Sequence, residues 1–116
     1  MTQLNTVVLR CKTSNMAIDR LCKIQTYLST KEKFSFLEEY DAIIRQHIND
    51  YKGYEEFIKI IFFNLLVVKK YTDIELSLTY EEFDELQQNN LIGLIAEKIG
   101  GDYDLMMSLV KMRDIS

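Results

Sequence analysis

Residues 57–68 constrain this chain more than any other stretch. Apart from Lys59 and Asn64 every residue there is apolar, and at helical spacing the apolar positions surround the axis instead of forming one stripe. A helix with no polar face belongs inside. Residues 54–71 are therefore expected to form a central helix around which the rest of the chain packs. Any apolar surface its neighbours leave uncovered is expected to become an interface.

The remainder of the sequence suits that plan. The chain of 116 residues has no proline and four glycines, which removes the usual punctuation of strands. A second helix is predicted from the pair Ser35 and Glu38, which match a capping box. It is followed at helical spacing by Phe36, Tyr40, Ile43, Ile44, His47, Ile48 and Tyr51, with Gly53 placed to end it. Ile18, Leu21, Cys22, Ile24 and Leu28 predict an earlier amphipathic helix capped by Ser14 or Asn15. Thr79 and Glu82 form a further capping box, opening a helix over residues 80–88. Asn89-Asn90 is turn chemistry, and a helix over residues 91–99 stops at Gly100-Gly101. Asp102 is expected to cap a last helix over residues 103–112. Residues 71–78 alternate polar and apolar, which predicts an extended linker or a short strand. Residues 1–14, with Thr6-Val7-Val8-Leu9 as their apolar part, are expected to be a short strand, an arm or a frayed terminus. The fold class predicted is all-α: a compact bundle of five to six helices around residues 54–71, with residues 15–116 as one helical domain.

Composition narrows function mainly by exclusion. The net charge of −4 argues against a general nucleic-acid binder. Two cysteines, Cys11 and Cys22, are too few for a disulfide scaffold and too far apart for a zinc or redox pair. Idle thiols in a reducing compartment are the expectation. The N-terminus lacks a signal-peptide pattern, and no apolar run is long enough for a membrane span, so a soluble protein made in the cytoplasm is expected. The single histidine, His47, sits on an apolar stripe and reads as a core or interface side chain. No phosphate loop or nucleophile elbow is present. Acidic residues crowd the helix starts at 38–41 and 81–85, where the helix dipole accounts for them. No catalytic residue, cofactor, metal or small-molecule substrate is expected, and the chain reads as a non-enzyme.

Charge is unevenly spread. Residues 1–33 carry six basic and two acidic side chains, and residues 79–104 seven acidic and one basic. Copies could stack head to tail on such polarity, or each segment could be a solvated face. Candidate interface residues are Tyr103, Met106, Met107 and Met112, a soft apolar group, and the carboxylates Glu81, Glu82, Asp84 and Glu85. The methionines could equally close the core. Residues 94–110 have the outline of a helix-turn-helix, but the second helix lacks the side chains that read bases and begins with Asp102 and Asp104.

The segment Phe62-Phe63-Asn64-Leu65-Leu66-Val67-Val68-Lys69-Lys70-Tyr71-Thr72-Asp73-Ile74-Glu75-Leu76 resembles a stretch of small acidic helical proteins of tailed bacteriophages. There a hydrophobic helix runs into a similar link and then an acidic amphipathic helix. The resemblance spans about residues 54–99 and implies a virion structural or assembly part in a capsid, neck or tail, incorporated in the virion. It implies partners that are copies of the chain or a larger virion component. Two other readings remain: a small acidic inhibitor of a nucleic-acid enzyme with a basic groove, motivated by residues 79–104, and a DNA-binding regulator.

Overall fold

The computed structural model of the chain describes residues 1–13 and 16–113. Its centre is the apolar helix, here α4 (Glu55–Tyr71). Every residue from Ile61 to Val68 is buried, and α3 (Thr30–His47), α5 (Tyr80–Gln88), α6 (Leu91–Ile99) and α7 (Gly101–Lys111) all pack on it. The polar break in its buried half is satisfied from two sides. Asn64 Nδ2 donates to the Ile60 carbonyl at 2.9 Å, and Asn64 Oδ1 accepts from the Tyr103 hydroxyl at 2.7 Å. A buried amide left unpaired would cost about 1–3 kcal/mol.

The remaining described elements are α1 (Leu4–Thr13), α2 (Ile18–Leu21) and two two-residue strands, β1 (Thr2–Gln3) and β2 (Ile74–Glu75). The strands pair in parallel, Thr2 with Ile74 and Gln3 with Glu75. The class is all-α, with that short ladder tying the N-terminus to the link after α4.

Several local expectations are corrected. Thr6-Val7-Val8-Leu9 is helical, and Val7 is wholly buried, so residues 1–13 belong to the packed domain and are not an arm. Valine costs a helix only a few tenths of a kcal/mol against alanine, less than burying its side chain returns. The predicted caps Ser14 and Asn15 lie outside the described residues. The helix predicted beyond them is cut short at Leu21. Cys22 is extended, and Ile24 bridges antiparallel to Thr72. The carbonyls at the end of α4 explain the change. Gln25 N–H donates to Tyr71 O at 2.8 Å and Gln25 Nε2 to Lys70 O at 2.8 Å. These bonds meet acceptors that a helix end leaves open. Finally, α3 begins before Ser35. Its capping box is Ser29 with Glu32, both bonds present at 3.2 and 2.9 Å. The Ser-x-x-Glu spacing occurs twice, and the earlier copy is the one formed, bringing Lys33 into α3 where its ammonium meets Asp102 and the Leu28 carbonyl. Gly53 does take a left-handed backbone (φ 91°), but α3 has already stopped at His47, so it shapes the turn into α4.

Helices α5 and α6 have the predicted bounds, and the Thr79–Glu82 capping box is formed. The last helix starts at Gly101, and Asp102 does not cap it. Ser29→Ala is expected to destabilise the fold by about 1 kcal/mol. Ser35→Ala, inside α3 and without a side-chain bond, is expected to change stability by less than about 0.5 kcal/mol. Urea unfolding of both variants checks the cap assignment.

Candidate interaction surface

Asp102 turns inward. Its Oδ2 accepts from the Tyr71 hydroxyl at 2.5 Å and the Leu28 N–H at 3.1 Å, and its Oδ1 lies 2.9 Å from Lys33 Nζ. Lys33 also donates to the Leu28 carbonyl at 2.5 Å and lies 3.8 Å from the Tyr27 ring centroid. The cluster joins α3, α4 and the first turn of α7. Burial, then the bond to Asp102, drives the Tyr71 hydroxyl well above its ordinary pKa. For Asp102 itself burial acts upward, but the bonds from Tyr71, Lys33 and the Leu28 amide outweigh it and hold the carboxyl below the usual aspartate value. At the end of α7 that a DNA reader would present to a groove, Asp102 is thus engaged inside the fold while Asp104 is exposed.

The charge polarity of the sequence is also partly used internally. Lys33 of the basic segment meets Asp102 of the acidic one, whereas Asp19 and Lys98, 3.3 Å apart, pair the minority charges of the two segments, and α1 packs beside α5. The two segments are neighbours in one molecule, so they are not opposite ends for head-to-tail stacking. At the far end of α7, Arg113 makes a two-pronged contact with Asp41 of α3, Nε donating to Oδ1 at 2.6 Å.

The candidate interface residues separate. Met106 is wholly buried and belongs to the core, while Met107 and Tyr103 are half-buried in a cleft between α4 and α7. Met112 is exposed beyond α7. Adjacent helix positions point about 100° apart, so Met106 and Met107 cannot share one face. Glu82 is engaged at the start of α5, accepting from Thr79 N–H at 2.9 Å and Ser77 N–H at 2.9 Å. Glu81, Asp84 and Glu85 are exposed on α5. Glu85 stands on the side toward α1, beside Leu4, Leu9 and Lys12.

Glu81 and Asp84 edge a different feature. Tyr51, Tyr54 and Phe57, at the turn before α4 and in its first turn, are 59%, 64% and 53% exposed. With Phe83 and Tyr80 of α5 they line a groove of about 490 Å³ floored by Ile58 and Ile61. Phe57 meets Phe83 edge-on at 6.2 Å between centroids, and Tyr51 meets Tyr80 edge-on at 6.0 Å. One end is braced by His47, whose ring stacks on Phe62 at 4.4 Å and whose Nδ1 lies 2.8 Å from Asp50 Oδ2. The Tyr80 hydroxyl donates to the same Asp50 oxygen at 2.7 Å. The bond with His47, then that from Tyr80, holds the Asp50 carboxyl below its usual pKa, while burial followed by that same bond raises Tyr80. His47 thus sits half-buried, holding a surface turn in place. Sequence reading assigned Phe57 to the central helix and Tyr51 to the stripe of α3. The available signal was the spacing of Tyr51, Tyr54 and Phe57 across the Gly53 turn.

Among the described residues no group of three or more His, Cys, Asp and Glu side chains could hold a metal, and no helix is long and apolar enough to cross a membrane. Burial, then the charges of Asp73 and Asp19, pushes the Cys22 thiol up to about 11, which leaves it a poor nucleophile. No family model matches the chain, and no curated protein or solved structure matches it.

The Asp102 cluster sets an acid limit on stability. A carboxyl with a lowered folded-state pKa stabilises the protein above its unfolded value, near about 3.9, and that contribution is lost as pH falls through the folded value. Asp102→Asn leaves Lys33 buried without its counter-charge and is expected to cost about 3 kcal/mol at neutral pH. Its urea midpoint should also fall less steeply than the wild type's on acidification below about pH 4. An unchanged acid slope in the variant would remove Asp102 from this role.

Proposed function

We propose that the chain is a non-enzymatic docking protein, which works by presenting the aromatic groove between the start of α4 and α5 to another protein. One observation carries this reading: Tyr51, Tyr54 and Phe57 are large, adjacent and more than half exposed. Scattered apolar side chains on a surface are ordinary, but a contiguous aromatic group is an interface feature. The α4 helix supplies the reason, because its neighbours bury Ile58 and enclose Ile61 to Val68 but leave Phe57 and Ile60 on an uncovered side. A narrower form of the proposal, a phage virion or assembly part acting in many copies, is supported by the resemblance of residues 62–76. The acidic-inhibitor reading is favoured by Glu81 and Asp84 and places its contact at the same groove.

The test is site-specific photo-crosslinking in the producing cell, with a photoreactive residue at Phe57 and, as control, at Glu38 on the exposed side of α3. Discrete crosslinked species are expected from position 57 alone, and none from position 57 would overturn the reading. Phe57→Ser should abolish the interaction while lowering stability by less than about 1 kcal/mol. Light scattering over a wide concentration range addresses the assembly form. Oligomers that Phe57→Ser dissolves support it, and a concentration-independent monomer argues against it.

A further inference from the structure

The charges at the groove identify the chemistry of its occupant, given the docking reading on which this inference rests. The charged side chains lining the groove are Glu81 and Asp84, both on the α5 side. Lys52, next in sequence to Tyr51, is exposed but does not line it. Glu81 and Asp84 are three positions apart, so they stand one above the other on the same face of α5. Among the described residues neither makes a hydrogen bond or ion pair within the molecule, whereas Glu82 between them is held by Thr79 and Ser77. The third nearby carboxylate, Asp50, is taken up by His47 and Tyr80. The groove therefore offers an apolar aromatic bed along α4 and two uncommitted carboxylates along its α5 rim.

A nucleic-acid strand could stack on the rings, but its phosphates would meet Glu81 and Asp84; an anionic membrane surface meets the same repulsion. We infer that the groove takes a cationic amphipathic helix of a partner protein. Its apolar side chains lie against Tyr54, Phe57 and Phe83, and its lysine or arginine side chains face Glu81 and Asp84. Grooves between two helices receive such segments through anchors at three- and four-residue spacing. The exposed tyrosine and phenylalanine faces also attract lysine and arginine cations. Apolar contact supplies affinity, and the carboxylate rim sets which way the helix lies.

The probe is a synthetic peptide of about 15 residues, built from leucine and lysine with leucine at helical spacing, titrated into the full chain. Its counterpart carries glutamate in place of every lysine. The cationic peptide is expected to bind and to shift backbone amide resonances at residues 51–58 and 80–84, and the anionic one is expected not to. The double variant Glu81→Lys, Asp84→Lys should weaken binding by about tenfold or more, while Glu38→Lys should leave it unchanged. Both substitute exposed positions, and circular dichroism confirms that each variant is folded. Equal binding of the two peptides, shifts elsewhere, or binding indifferent to the double reversal would overturn the assignment. If position 57 still crosslinks in the cell under those outcomes, docking stands and the cationic partner falls. If neither experiment responds, both fall. Oligomers of the wild type that Phe57→Ser dissolves would give the groove to a second copy and overturn the partner helix.

Discussion

The structure depends on enclosing a helix that has no polar side. From Ile61 to Val68 α4 is buried at every position, so its surroundings must approach from all directions. One long helix, α3, and three shorter ones meet that requirement together. α3 runs along one side, α5 and α6 close another, and α7 crosses a third. At the C-terminal end the wrapping is done by extended backbone, where Gln25 and Asp73 meet open donors and acceptors. The polar groups within this shell are few and each has a partner: Asn64 with Tyr103, and Asp102 with Lys33 and Tyr71. They fix how α7 sits on α4, since apolar contact alone would tolerate sliding.

Legibility in the sequence follows the range of the deciding interaction. α5 and α6 are written locally, by Thr79 with Glu82, by Asn89-Asn90 and by Gly100, and their bounds can be read directly. The interior position of α4 follows from its composition. The first quarter of the chain is harder, because its conformation answers to residues far away. Ile24 keeps helical spacing with Leu21 and Leu28 yet bridges Thr72, and nothing near Ile24 announces the carbonyls of Lys70 and Tyr71. The start of α3 was ambiguous for a different reason: two serines stand three residues before a glutamate, and only packing chooses between them. Within the groove, Glu81 and Asp84 could be named from sequence as carboxylates near the start of α5. Tyr51, Tyr54 and Phe57 could not, because an aromatic residue beside an apolar helix reads as core until the neighbours that might cover it are placed.

The exposed groove and the enclosed core are two results of one mismatch. One side of the first turns of α4, with Phe57 and Ile60, is left outside together with the preceding loop, while Ile58 on the other side is covered. The His47, Asp50 and Tyr80 contacts keep that loop beside α5, so the aromatic rings of the proposed docking surface are held in one arrangement. A surface arranged in advance gives up less conformational freedom on binding than one that must first be ordered.

The pairing of β1 with β2 bears on the order of folding. Thr2 and Ile74 are neighbours across a loop that includes α1 to α4, and the β1 side chains bond at the same place, Thr2 to Asp73 and Gln3 to Glu75. During synthesis Thr2 and Gln3 have no ladder to join until the link after α4 has followed them out. Val7 and Val8 meanwhile lack the α5 surface beside which they are finally covered. Until the link after α4 and then α5 are available, α1 has only α2 and its own strand to pack on, so residues 1–13 complete their packing through contacts distant in sequence.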